Sequence, residues 1–66
     1  MFIVLEIQKD GENPTALLTN VYDDDSIALN KFYTICAAAA VSEISRHGAI
    51  MMTVDGEILY QQMFVR

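Results

Sequence analysis

Residues 2–8, Phe2-Ile3-Val4-Leu5-Glu6-Ile7-Gln8, have the period-two pattern of a strand. Ile3, Leu5 and Ile7 form one face, and Phe2, Val4, Glu6 and Gln8 form the other. The first face is purely apolar and is expected to meet the helix, while the second is mixed, with two apolar residues left exposed or covered by a partner. Lys9-Asp10-Gly11-Glu12-Asn13-Pro14 is turn chemistry throughout, because Asp-Gly favours positive φ and Pro14 cannot extend a ladder in a sheet centre. Residues 15–22 predict a second strand with poorer alternation, and residues 49–54 a third. Asp55-Gly56 is a two-residue hairpin signal between apolar runs. Residues 57–66 complete a fourth strand.

Between the two hairpins the pattern changes. Asp25 to Arg46 contains Cys36-Ala37-Ala38-Ala39-Ala40-Val41, and alanine has the highest helix propensity of any residue. Asp23, Asp24 and Asp25 supply start signals, since a carboxylate there accepts from orphan N–H groups and complements the helix dipole. Arg46 and His47 in a last turn, followed by Gly48, supply stop signals. A helix of that span would be roughly 30 Å long. Its main stripe is Leu29, Phe32, Cys36, Ala39, Ala40 and Glu43, flanked by Ala28, Ile35 and Ser42 on one side and by Tyr33, Ala37, Val41 and Ile44 on the other. The middle is apolar nearly all round, and one sheet covers only one side of a helix. The expectation is that a second copy or another partner covers the rest, with Phe32, Tyr33, Cys36, Ala37, Ala40, Val41 and Ile44 as the candidate interface. The competing reading is an exposed alanine face, which costs little because the side chain is small.

The elements assemble as a single α+β domain, residues 1–66, with a β-β-α-β-β order. This is a four-stranded antiparallel sheet packed on one long Ala-rich helix. Placing the two most apolar strands, the first and third, in the centre gives the order second-first-third-fourth, with the second and fourth as edges. Edges are pairing hazards or pairing sites.

Composition narrows the function classes. The chain has 66 residues, of which 53% are hydrophobic, so it reads as one folded domain with a modest core for which self-association is a common remedy. The formal charge is −5, with only Lys9, Lys31, Arg46 and Arg66 as fixed cations. Nucleic-acid binding needs clustered cations to displace phosphate counterions, and four scattered ones argue against it. Met1-Phe2-Ile3-Val4-Leu5 lacks a basic flank and Glu6 interrupts it, so no signal peptide is read. Asn30, Lys31 and Glu43 argue against a membrane span over 27–44. The single cysteine excludes an internal disulfide and fits a reducing cytoplasm.

No residue group carries recognisable chemistry. Asp23-Asp24-Asp25 lacks the Gly and distal Glu of a calcium loop, and helix capping explains it. His47 is the only histidine and has no Ser, Cys or acid placed by the sequence to work with it; a cation at a helix C-terminus is the plainer role. Cys36 in mid-helix reads as a small buried hydrophobe rather than a nucleophile. Adjacent Met51 and Met52 must point to opposite faces, as must Met63 and Phe64. The chain is therefore expected to be non-enzymatic, with no cofactor and no metal.

Residues 2–8, the run Lys31 to Ser42 and the His47-containing strand with its Asp-Gly hairpin resemble a small uncharacterised family. Its members are found among phage and prophage genes of Gram-positive bacteria. The resemblance spans nearly the whole chain and is most specific at Phe32-Tyr33 and the alanine run. It implies a phage-encoded setting in a bacterial host and no activity. The leading expectation is a small, soluble, cytoplasmic interaction or assembly module that forms a homo-oligomer through its Ala-rich helix or a sheet edge. The alternatives are an acidic regulator or inhibitor that binds a host protein, and a binder of a small ligand or peptide on the open sheet face.

Overall fold

The computed structural model describes all residues, Met1–Arg66. The chain runs β1 (Phe2–Lys9), β2 (Ala16–Tyr22), α1 (Asp25–Ala40), β3 (Arg46–Thr53) and β4 (Ile58–Val65). The strands form one antiparallel sheet in the order β2-β1-β3-β4. The α+β class, the β-β-α-β-β order and the central placement of the first and third strands are as expected. A hairpin forms at Asp55-Gly56, but as a three-residue loop of Val54, Asp55 and Gly56 closed by Thr53 N–H donating to the Glu57 carbonyl at 2.8 Å, not as the two-residue turn expected. Asp55 keeps a negative φ, and only Gly56 takes a left-handed value, φ 98°, which its missing Cβ permits. Its N–H donates to the Thr53 carbonyl at 3.0 Å, and Glu57 N–H donates to Thr53 Oγ1 at 3.1 Å.

The helix is shorter than expected. It has 16 residues, about 24 Å at 1.5 Å per residue, and it ends at Ala40 with Val41 as its cap. Arg46, His47 and Gly48 are not its last turn; they begin β3 and pair with Lys9, Gln8 and Ile7 of β1. β-Branched Val41 continues a helix poorly, and Ser42 Oγ accepts from Ile44 N–H at 3.1 Å in the connection that follows. The start is as expected: Asp24 caps α1 by accepting from Ser26 N–H at 2.8 Å and Ile27 N–H at 3.4 Å.

The core also lies on the face of β1 opposite to the expected one. Val4 is fully buried and joins Ala28, Phe32, Ile35, Ala49 and Met51 in one cluster, with Phe2, Tyr22, Leu29 and Cys36 packed against it. Residues directly opposed across a ladder share a face. Val4 opposes Asn20 and Met51, and Glu6 opposes Leu18 and Ala49. Phe2, Val4, Glu6 and Gln8 therefore lie under the helix, while Ile3, Leu5 and Ile7 lie on the other side. The mixed face is accommodated because Glu6 finds a partner there in His47. From α1, Ala28, Phe32, Ile35 and Ala39 are buried, an i, i+4, i+7, i+11 stripe.

Two further contacts close the fold. Arg66, beyond β4, donates from Nη2 to the Ala39 and Ala40 carbonyls at 2.9 and 2.7 Å and from Nε to the Ser42 carbonyl at 2.9 Å. It holds the carbonyl end of the helix, the role expected of Arg46 and His47. At the same end, Ser45 Oγ donates to the Lys9 carbonyl at 2.7 Å and accepts from Gly11 N–H at 2.8 Å, tying the β1–β2 loop to β3.

Candidate interaction surface

The side of the sheet away from the helix is almost wholly apolar. By the strand register it carries Ile3, Leu5 and Ile7 of β1, Leu17 and Val21 of β2, Ile50 and Met52 of β3, and Ile58, Met63 and Val65 of β4. Only Thr19, Gly48 and Gln61 interrupt them, and Lys9 and Arg46 stand at one end. No element covers this face. Leu17 is 62% exposed, Val21 55% and Val65 60%, while the central-strand residues are only half-buried, by their own neighbours. Four strands at about 4.8 Å spacing, each rising about 3.3 Å per residue, give a footprint of about 500 Å². The largest apolar patch on a typical monomer is about 300–600 Å² and is often functional, so this face is at the size where an interaction surface is expected.

Gly48 shapes the edge of this face. A Cβ there would run into the Gln62 carbonyl and come within 2.8 Å of Met63 Cα. The glycine thus lets β4 approach β3 closely, where any side chain would push the strands apart.

The interface residues expected on the helix stand in different environments. Phe32 is 3% exposed and belongs to the protomer's own core. Cys36 packs against that core, and burial raises its thiol above the ordinary value. Ile44 lies half-buried beyond the helix end. Tyr33, Ala37, Ala40 and Val41 are exposed, Val41 at 84%. The outward side of α1 is mixed: Ala37, Ala38 and Ala40 stand beside the polar Ser26, Asn30 and Thr34, and its large apolar side chains, Ile27 and Tyr33, are isolated from one another. The sequence pattern did not single out the open sheet face as the larger surface, because the all-apolar face of β1 reads as the inner one.

Two open grooves flank the helix on the other side of the sheet. One, of about 330 Å³, lies between α1 and β4 and is lined by Phe32, Tyr33, Cys36, Tyr60, Gln61, Gln62 and Phe64. Its aromatic rings are mutually in contact, Phe32 to Tyr33 at 5.5 Å and Phe32 to Tyr60 at 5.8 Å between centroids. The other, of about 340 Å³, lies near the helix start beside Phe2, Leu29, Met51, Leu59 and Tyr60. Neither contains a histidine, and Asp25 is the only carboxylate on either wall.

The polar feature of the core is the pair of Glu6 and His47. His47 Nε2 lies 2.7 Å from Glu6 Oε2, and the two side chains are 6% and 18% exposed. A carboxylate only accepts, so Nε2 carries the proton. Gln8 Nε2 donates to the same Glu6 oxygen at 2.9 Å. Burial alone would raise the Glu6 carboxyl. The hydrogen bonds from His47 and Gln8 and the charges of His47 and Lys31 outweigh it and hold the group below its ordinary value. His47 Nδ1 is buried with no partner. The sequence did not connect these two residues, which stand on different strands and far apart in the chain. No three His, Cys, Asp or Glu side chains converge to hold a metal ion, and no helix is long and apolar enough to cross a membrane.

A scan of family models and searches of curated proteins and of solved structures find no match to this chain.

Proposed function

We propose that this chain is a small non-enzymatic interaction module that works by associating with further copies of itself. One observation carries the proposal: the sheet is covered by a helix on one face and bare on the other, and the bare face is apolar across all four strands. A 66-residue chain with nine buried residues gains more from covering that face than a larger protein would. The contact favoured here is the open face rather than the helix, whose outward side mixes alanine with Ser26, Asn30 and Thr34, or the β2 and β4 edges. The resemblance to phage and prophage proteins and the lone cysteine support a phage-encoded module in a bacterial cytoplasm. Sedimentation equilibrium over a dilution series tests the proposal. A mass of at least two chains at micromolar concentration is expected, reduced to one chain by Ile50→Asp. A single-chain mass at every concentration would overturn it.

A second reading rests on a different observation. Asp23, Asp24, Asp25, Asp55 and Glu57 gather at one end of the molecule, where β2 leads into α1 and β3 turns into β4. This favours an acidic regulator or inhibitor that docks on a basic host protein. Binding of that kind weakens steeply with salt. A pull-down from host lysate at low and moderate salt separates it from self-association, which is dominated by apolar area. A peptide or small ligand on the open sheet face is the remaining alternative; it would raise the melting temperature in a ligand screen.

A further inference from the structure

We propose that two copies pack sheet to sheet through the open face with their strands running in opposite senses. The two-fold axis then lies in the interface, perpendicular to the strands. The inference rests on the self-association reading above and adds the partner's orientation.

The area argument identifies a second copy as the occupant. Two footprints of about 500 Å² bury about 1,000 Å², the lower limit for a specific interface between two proteins. The face is also regular. Its side chains stand in rows on twisted strands, and an identical face packs onto such rows at about 10 Å with the strand directions within about 30°. The helices would then lie on the two outer sides of an eight-stranded sandwich, with their outward faces in water.

Charge decides between the two ways of stacking. The only charged side chains on the open face are Lys9 and Arg46, which oppose each other in the β1–β3 ladder. They stand at one end of the strands. The other end carries Asp23, Asp24, Asp25, Asp55 and Glu57, with no lysine or arginine. At the Lys9 end, Asp10, Glu12 and Glu43 lie in loops beside Arg66, so the basic end is near neutral as a whole and cationic on the face itself. If the two copies stacked with like ends together, the two Lys9/Arg46 pairs would face each other, and the acidic groups, which stand at the strand ends and the helix start rather than on the face, would gather at one end of the pair. Reversing one copy sets the paired cations over the partner's acidic end. Like charges opposed across an interface are disfavoured and opposite ones fix register.

The reversed arrangement has a particular contact pattern. Leu5 and Ile50 oppose each other at the centre of the face, so each meets its own counterpart. Ile3, towards the acidic end, meets Ile7 of the other copy. In the like-end arrangement Ile3 would instead lie beside its own counterpart.

Cross-linking with a short bis-maleimide in a Cys36→Ser background distinguishes these arrangements, with the mass of each variant measured in parallel. Ile50→Cys is expected to link two chains. Ile3→Cys alone is expected not to link, and the double variant Ile3→Cys/Ile7→Cys is expected to link efficiently. A two-chain mass with Ile3→Cys alone linking overturns the orientation. A two-chain mass with no linking at Ile50→Cys overturns the face while leaving self-association standing. A single-chain mass for the unmodified protein overturns both. A charge exchange gives a readout that does not depend on cysteine substitutions folding normally. Lys9→Glu/Arg46→Glu is expected to raise the dissociation constant at least tenfold, and adding Asp55→Lys/Glu57→Lys is expected to restore it. Failure of the second pair to restore association overturns the opposed-end stacking.

Discussion

Removing the Glu6 carboxylate leaves the imidazole of His47 with neither ring nitrogen partnered. Nδ1 has no partner in the native fold, and Nε2 has only Glu6 at 2.7 Å. A buried donor stripped of its acceptor costs about 1–3 kcal/mol. Glu6→Ala should therefore destabilise the protein by about 2 kcal/mol. For a domain of this size that corresponds to a melting temperature lower by about 8–16 °C. Replacing both partners with apolar residues, as in Glu6→Leu/His47→Leu, should cost less than Glu6→Ala alone, because no buried polar atom is then left unmatched. The pH dependence gives an independent check through Glu6→Gln, which keeps an acceptor for His47 but cannot ionise. The folded-state pKa of Glu6 is depressed below its ordinary value of 4.5, by the hydrogen bonds and charges that overcome burial. The stabilisation from its charge is thus fully present above about pH 4.5 and is lost as pH falls through the lower folded-state value. Urea unfolding at fixed protein concentration should show wild type more stable than Glu6→Gln at pH 6, with the gap closing towards pH 3. A pH-independent gap, or a loss below about 0.5 kcal/mol for Glu6→Ala, would refute the assignment of this pair as a buried, mutually dependent contact.

Phe32→Ala removes the largest ring of the core, 3% exposed and in contact with Tyr33 and Tyr60. A loss of about 3–5 kcal/mol is expected, enough to leave much of the chain unfolded at 37 °C by circular dichroism. Gly48→Ala forces β4 away from β3 and should cost about 3 kcal/mol in chemical unfolding, far more than a Gly-to-Ala change in an open strand. Asp24→Ala takes the acceptor from Ser26 and Ile27 N–H and should lower stability by about 1 kcal/mol, with Asp24→Ser recovering most of it.

The element order was legible because its signals are local. Asp55-Gly56 specifies a hairpin, the aspartates specify a helix start, and the alanine run specifies helix in between. The strand order followed from placing the most apolar strands centrally. What was not legible depends on partners distant in sequence. Gly48 has the composition of a helix cap, yet it is needed where Gln62 and Met63 approach β3. The residue that does hold the helix's carbonyl end is Arg66, from beyond the last strand. The inward face of β1 was misassigned for the same reason. Ile3, Leu5 and Ile7 are the more apolar set, but Glu6 and Gln8 turn inward, where Glu6 accepts from both His47 and Gln8. The apolar set on the outside is then the feature on which the proposed association rests.

The most direct test of that association is the solvent exposure of methyl groups, measured by NMR with a soluble paramagnetic agent. Within one copy Leu17 and Val65 are 62% and 60% exposed, Val41 on the helix 84%, and Val4 not at all. If copies associate through the open face, the methyls of Leu17 and Val65 should be shielded nearly as well as those of Val4 at high protein concentration, while Val41 stays strongly relaxed. Leu17 and Val65 relaxing as fast as Val41 at every concentration would contradict the account.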